Sequence, residues 1–308
     1  MNSITAMESE IGFQLHDLPV MKLQKTNERC LFVGAGDSYA ASLAAHYASG
    51  QVAPCCHPLD LVENPSISDG RVVYLVSISG RTKANILAAK VARKKGALTV
   101  AVTTNEESPL AKSCDQVIKL NYRKAAASTA GTISFTSSLL TCLSLVLDVK
   151  IPRGLSRLLK LAEKQADDIV SYMGPAEQTW FILGNGILFP IAVYGALKLN
   201  EVIGRKAIAY PVEEFCHSPL FSIGRKDAIV TLGHLDDGSE SLAQRLSHEG
   251  FSSSYVRISN QGQLESLLHS IFFVQLLALK TAQKMRIKEC YFLRNRSLLS
   301  VSSNFIYG

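Results

Sequence analysis

Two short strings in the first half of the chain place small residues and hydroxyls where an anion can be held. In "CLFVGAGDSYAASLAAHYASG", an apolar run breaks at Gly34 and Gly36 and continues as an alanine-rich helical pattern. Such a loop at the carboxyl end of a strand leaves the first amides of the helix unpaired, and with the Ser38 hydroxyl they can meet an oxyanion. The second string, "VSISGRT", supplies the hydroxyls of Ser77, Ser79 and Thr82, with Gly80 allowing close backbone approach and a helix expected to begin near Thr82. Hydroxyl donors and unpaired amides at a helix start suit a phosphate monoester. The alternative is that these side chains only cap their helices, as Ser and Thr do at many strand-to-helix turns. Arg81 adds a charge whose direction is not fixed by sequence.

The second half carries side chains able to move protons. In "YGALKLNEVIGRKAIAYPVEEFCHSPLF", Lys198 and Glu201 lie three residues apart in a helical pattern and share a face, either as a surface ion pair or as a working pair. His217 falls in "EEFCHSPL", whose Ser and Pro predict a loop, and an imidazole there can transfer protons near neutral pH. Between the halves, "AAASTAGTISFTSS" offers small residues for close approach of a ligand. Ser128 and Thr129 are expected either to contact sugar hydroxyls or to cap the helix that follows.

Other readings of the glycine turns fail on spacing. Gly34-x-Gly36 lacks the third glycine of the dinucleotide fingerprint, and the nearest acidic residue, Asp60, lies in the irregular segment "CCHPLDLVENP" rather than at a strand end. The Gly-Lys-Ser/Thr ending of a Walker loop is absent. Cys55-Cys56-His57 does not have the paired spacing of a zinc site. Neither a metal nor a cofactor is expected.

The elements that must hold these residues recur. "RCLFVGAGDSYAASLAAHYA" and "TWFILGNGILFPIAVYGALKLNEVI" both read as strand, glycine turn and helix, with Gly184 and Gly186 placed as Gly34 and Gly36 are. This is the mark of an internal duplication. Each is followed by a further strand, helix and strand: "RVVYLVSISG", "TKANILAAKVARKKG" and "ALTVAVTT" in the first half, "DAIVTLG", "SESLAQRLSHEG" and "SSSYVRIS" in the second. That order predicts an α/β fold of two tandem domains, each a mainly parallel sheet flanked by helices. Pro152 and Gly154 mark a break before a helix that enters the second half. The boundary is expected between Val149 and Pro175, giving domains 1–160, with a helical extension, and 161–308. The strings "SFTSSLLTCLSLVLD" and "ESLLHSIFFVQLLALKTAQKMRIK" close the two repeats as helices. The latter is apolar over much of its circumference and is expected to be buried between layers or against another subunit.

With 308 residues, 47% hydrophobic and 19% charged, the chain can build a sizeable core. Its longest apolar stretches are interrupted by Gly, Ser or charge before the roughly 18–20 residues that span a bilayer. The start, "MNSITAMESEIGFQLHDLP", has acidic residues where a signal peptide is basic. A cytoplasmic protein with reduced cysteines and no membrane association is expected. The net charge of +6 is scattered, without aromatic-basic interleaving, which argues against nucleic acid and suits anionic metabolites.

Five strings in order, "GAGDSYAA", "SISGRTKAN", "AASTAGTISFTS", "YGALKLNEV" and "EFCHSPL", carry a resemblance. The chain resembles the double sugar-isomerase-domain (SIS) family, particularly the isomerase portion of glucosamine-6-phosphate synthase and its stand-alone deaminase relatives. The likeness runs from about Cys30 to Arg296, and more weakly through "ESEIGFQLHDLPVM". It implies two tandem SIS domains, with Gly36, Ser38, Ser77, Ser79 and Thr82 at phosphate- or sugar-binding positions and Ser128 near the sugar. By the same resemblance Glu201 moves a proton between C1 and C2 of the opened sugar, Lys198 stands beside it, and His217 is associated with ring opening. In relatives that histidine can come from the partner subunit, so a homodimer with its site near the subunit interface is implied.

Departures from the family pattern narrow the expectation. A Ser-Gln-Ser-Gly pattern reads Ser77-Ile78-Ser79-Gly80 here, and a Ser-Thr-Lys pattern reads Ser128-Thr129-Ala130. No lysine follows Lys288, where synthase relatives carry a tail lysine; Arg294 or Arg296 could pair with phosphate but would not form an imine. No glutaminase domain is expected before Cys30. The expected activity is conversion of a phosphorylated hexose or amino sugar, foremost glucosamine-6-phosphate deaminase-like release of fructose 6-phosphate and ammonia through an enediol or enolamine. The alternatives are isomerisation of a non-amino sugar phosphate and a regulatory protein that binds sugar phosphate without catalysis.

Overall fold

The computed structural model describes residues 1–172, 179–234 and 238–308. Helix α1 (Ser3–Asp17) opens the chain, with the Asn2 side chain accepting from the Thr5 amide at its start. Strand and helix then alternate through β1 (Cys30–Val33), α2 (Asp37–Ala48), β2 (Cys55–Cys56), α3 (Pro58–Glu63), β3 (Val72–Val76) and α4 (Lys83–Lys94). The first sheet is completed by β4 (Thr99–Thr103), α5 (Pro109–Ser113), β5 (Gln116–Lys119) and α6 (Ile133–Val146). Its strands run parallel in the order β2-β1-β3-β4-β5. Every residue of β1, β3 and β4 is buried, so these strands read as unbroken apolar runs rather than as alternation. Leu31, Leu75 and Ala101 pack with Ala88, Ala89 and Ala92 of α4, whose small side chains let the helix lie close to the sheet.

The pattern starts again after α7 (Leu155–Tyr172), with β6 (Trp180–Gly184), α8 (Phe189–Ile203), β7 (Ala207–Tyr210), α9 (Val212–His217), β8 (Ala228–Gly233), α10 (Ser239–His248) and β9 (Ser252–Arg257). The long helix α11 (Gln263–Lys284), the short α12 (Tyr291–Arg294) and α13 (Arg296–Tyr307) follow. The second sheet is also parallel, in the order β7-β6-β8-β9, which matches β2-β1-β3-β4 of the first. The duplication extends to the turns. A Cβ on Gly34 would stand 2.7 Å from the Ser38 carbonyl, and one on Gly184 2.8 Å from that of Leu188. Gly36 and Gly186 both hold positive φ, 57° and 52°.

The chain gathers into two compact units that no single cut separates. One comprises residues 20–123, 133–150 and 295–308, and the other residues 1–19, 124–132 and 151–294. Helix α1 and the segment 124–132 therefore belong with the second sheet, and α13 with the first. A cut between residues 160 and 161 falls within α7, and Pro175, the far limit of the expected boundary, lies outside the described residues.

The closing helices are buried as their composition requires. Helix α6 packs on α2, and α11 on α7 and α8. Gly195 permits the second of these approaches, since a Cβ there would stand 2.9 Å from the Val274 side chain. Contrary to the expectation from interrupted apolar runs, Gly186–Ile203 and α11 are long and apolar enough to cross a bilayer. They are 61% and 83% buried within the protein, which accounts for that composition as core packing.

Helix α11 also carries His269, fully buried. Its Nδ1 accepts from the Ser259 amide at 2.9 Å and its Nε2 donates to Gln165 Oε1 at 2.8 Å. The Gln165 amide in turn donates to the Arg257 carbonyl at 2.9 Å, so a neutral imidazole ties the end of β9 to α7. Burial pushes the His269 pKa down to about 4, with Glu265 opposing. The protonated ring is disfavoured in the folded state, so this contribution is full above the ordinary value near 6.5 and is lost as pH falls toward 4. The unfolding free energy is therefore expected to drop by about 2–3 kcal/mol over that window through this group. His269→Gln, which can accept and donate in the same pattern, should abolish that component in urea unfolding compared with the wild type at each pH.

Candidate functional site

The strand ends of the first sheet carry the hydroxyls expected to meet an anion. Gly36, at φ 57° and ψ −129°, turns the chain from β1 into α2, and no side chain caps that helix. Ser38 lies in its first turn, half-buried, and its carbonyl accepts from the Ser42 hydroxyl at 2.8 Å. After β3, Ser77 Oγ and Thr82 Oγ1 are 3.3 Å apart, and Ser79 Oγ accepts from the Arg81 amide at 3.3 Å. Thr82 occupies the N-cap of α4 but makes no side-chain capping bond. Its hydroxyl faces Ser77 instead, so the capping alternative does not describe it. Arg81 sends its guanidinium over the Tyr307 ring of α13, 5.7 Å from the centroid.

Residues that sequence reasoning passed over hold this cradle in shape. The Ile78 carbonyl accepts from the Thr103 hydroxyl at 3.0 Å, the Thr104 hydroxyl at 2.9 Å and the Thr104 amide at 3.1 Å. Buried Asn85 donates to the Val76 carbonyl at 2.9 Å. Gly80 sits at φ 61°, and a Cβ there would fall 2.1 Å from Ser108 Oγ. The only sequence signals for these roles were hydroxyls ending the apolar run "TVAVTT" and a Ser before Pro109.

Helix α8 carries both Lys198 and Glu201. Lys198 is fully buried, and its Nζ donates to Glu201 Oε2 at 2.5 Å while standing 5.2 Å from the Tyr194 ring centroid. Glu201 is 38% exposed. With one member completely enclosed, this is not a surface ion pair: the lysine amine is the buried end and the carboxylate the accessible one. His217 is the last residue of α9 rather than part of a loop. Glu213 and Glu214 in the first turn of that helix and His217 in its last complement the helix dipole, and Pro219 follows its end. The His217 side chain is 71% exposed, and its described contact is with Glu213 at 3.8 Å, not with Lys198 or Glu201.

Ser128 is exposed. The Thr129 hydroxyl donates to the Ser3 carbonyl at 2.7 Å, which is neither of the roles expected for it. Both lie in the compact unit that holds Lys198, Glu201 and His217, whereas Gly36, Ser38, Ser77, Ser79 and Thr82 lie in the other. Arg294 stacks 5.8 Å from the Tyr291 centroid, and Arg296 begins α13. Among the described residues no group of three or more His, Cys, Asp or Glu side chains is placed to hold a metal ion. Burial pushes the Cys55 and Cys56 thiols up to about 12 and about 11, far from the thiolate form that metals bind, and His57 stacks on Tyr39 with centroids 3.9 Å apart.

Comparison with known proteins bears on the whole chain. Residues 22–147 match the SIS domain. A glutamine–fructose-6-phosphate aminotransferase (isomerizing) of Caldanaerobacter subterraneus is 24% identical over 273 residues, covering 80% of this chain and 45% of that protein. The enzyme of the same name from Sulfurisphaera tokodaii is 28% identical over 221 residues, covering 68% and 37%. The chain thus spans less than half the length of these relatives. In fold it is similar to glucosamine-6-phosphate deaminase of Thermotoga maritima, with a TM-score of 0.72, 20% identity and coverage of 93% and 94%. The C-terminal domain of glucosamine-fructose-6-phosphate aminotransferase from Francisella tularensis superposes with a TM-score of 0.68 at 20% identity, covering 94% of each chain. The chain thus carries a SIS domain over residues 22–147, and with both parallel sheets and the repeated glycine turns its fold is similar to that of the aminotransferase C-terminal domain and of the T. maritima glucosamine-6-phosphate deaminase.

Proposed function

We propose that this protein binds a phosphorylated hexose or amino sugar and moves a proton between C1 and C2 of its opened form. The single observation that carries the reading is the enclosed Lys198 ammonium behind an accessible Glu201 carboxylate. In the proposed reaction the phosphate is held by the hydroxyls of Ser38, Ser77, Ser79 and Thr82 and by the amides starting α2 and α4, with Gly36 letting the ligand approach the backbone. Phosphate binding remote from the reacting carbons fixes which face of the sugar meets the base. Glu201 takes the proton, and the Lys198 ammonium stabilises both the carboxylate and the charge developing on the enediol or enolamine. Ser128 contacts the sugar, and His217 assists ring opening. Its exposure suits a side chain that completes the site of a partner subunit in a homodimer.

Glucosamine 6-phosphate is the proposed substrate: water enters and fructose 6-phosphate and ammonia leave. The names of the T. maritima and aminotransferase relatives support this class. All seven cysteines are free, which suits the cytoplasm as the proposed location. A second reading, binding without turnover, is favoured by Ala130 at a family lysine position and by the lack of lysine after Lys288.

Proton NMR of the protein with glucosamine 6-phosphate in deuterated buffer separates the two. Conversion, or deuterium entering at C1 or C2, supports the catalytic reading; saturable binding with neither supports the second. Glu201→Gln is expected to bind the sugar phosphate within about threefold of wild type while losing at least ~100-fold in turnover. Unchanged turnover would remove Glu201 as the base. Gly80→Ala is expected to displace the β3 loop, because alanine is strained at that φ and its Cβ meets Ser108. Calorimetric affinity for fructose 6-phosphate should fall about tenfold or more, at a stability cost of about 1–3 kcal/mol.

A further inference from the structure

Segment 125–132, which carries Ser128, has no strand or helix of its own, yet both of its ends are gripped by one buried carboxylate. Glu10 of α1 accepts from the Ala125 amide at 3.2 Å through Oε1 and from the Thr132 hydroxyl at 3.1 Å through Oε2. Between these ends, the Thr129 hydroxyl donates to the Ser3 carbonyl at the start of the same helix, and the Tyr194 hydroxyl donates to the Gly131 carbonyl at 2.7 Å. Gln275 of α11 donates to the Thr132 carbonyl at 3.3 Å and to the Tyr194 hydroxyl at 3.2 Å, and Gln14 of α1 donates to Gln275 at 2.7 Å. The circuit runs from α1 through the segment to Tyr194, one turn before Lys198 on α8.

Helix α1 is itself anchored. The Ser3 amide donates to the Glu289 carboxylate at 3.2 Å, the Ile4 amide to the Lys288 carbonyl at 3.2 Å, and the Ser3 hydroxyl accepts from the Cys290 amide at 2.6 Å. A carboxylate at 8% exposure is a costly way to fill space. Burial raises the Glu10 pKa, against the two hydrogen bonds and Lys124. What Glu10 supplies that an apolar side chain would not is two acceptors at a fixed spacing, matched to two donors seven residues apart.

We propose that Glu10 is a positioning residue: through its two oxygens it fixes the shape of segment 125–132 and so sets Ser128 against the sugar portion of the ligand. This rests on the functional reading above, in which Ser128 meets the sugar and the loops after β1 and β3 meet the phosphate. Glu10 touches neither, so its loss should affect the sugar and spare the phosphate. Glu10→Gln offers one acceptor where two are needed. In the full-length protein it is expected to speed hydrogen exchange of the 125–132 amides by about tenfold, with β1, β3 and β8 unchanged. Its affinity for fructose 6-phosphate should fall about tenfold, while that for inorganic phosphate stays within about twofold. Unchanged protection of 125–132, or equal weakening toward both ligands, overturns the proposal. Should Glu10→Gln not fold, Glu10→Asp, which keeps two acceptors on a shorter arm, is read by the same two measurements. If wild type itself binds no sugar phosphate, the functional reading falls, and the exchange pattern alone decides whether Glu10 holds the segment.

Discussion

The tight turn from strand to helix is the constraint on which the rest depends. In each half a helix begins so close to the strand before it that no Cβ fits at Gly34 or Gly184. That closeness aims the first amides of the helix at the strand's carboxyl end, where parallel α/β sheets bind ligands. It also forces the next glycine to positive φ, as Gly36 and Gly186 show. Once the turn is made, its chemistry is set by what stands two residues on. The first half places Ser38 there and the second Leu188.

The duplicated units have therefore diverged along a physically clear line. The first keeps hydroxyls at both central strand ends, Ser38 after β1 and Ser77, Ser79 and Thr82 after β3. The second has Gly186, Ile187 and Leu188 in the turn after β6, where the first has Gly36, Asp37 and Ser38. What the second unit offers instead lies three turns along α8, where an ammonium is enclosed and a carboxylate is not.

How much of this was legible in sequence follows from the range of the interactions. Buried parallel strands announce themselves as apolar runs, and β1, β3, β4, β6 and β8 were each readable; β9, an edge strand, was readable less cleanly. The edge strands of the first sheet were not: β2 has two residues, and β5 is largely exposed and carries Gln and Lys. Helix α9 has six residues, too short for a periodic signal, so His217 read as loop. The cradle hydroxyls were visible because they are contiguous. Their supports, Thr103, Thr104 and Ser108, lie some 25 residues away and gave no pattern until the sheet brought them to Ile78 and Gly80. Glu10 is farther still from Ala125 and Thr132, and the acidic start of the chain carried no hint that this carboxylate would be buried.

Lys198 and Glu201 show why spacing alone left their role open. Three residues apart on a helix describes a solvent-exposed pair as well as this one, and exposed pairs contribute little. Here the helix is sunk against α11, and the lysine points inward beside Tyr194 while the glutamate reaches the surface. The carboxylate does not need to be enclosed and is not. Burial thus orders the pair: any ligand arriving from solvent meets Glu201 first, and the fully buried Lys198 amine behind it is poorly placed to form an imine. The acid–base chemistry proposed for this site follows from that order, which depends on how deeply α8 is packed rather than on which two residues it carries.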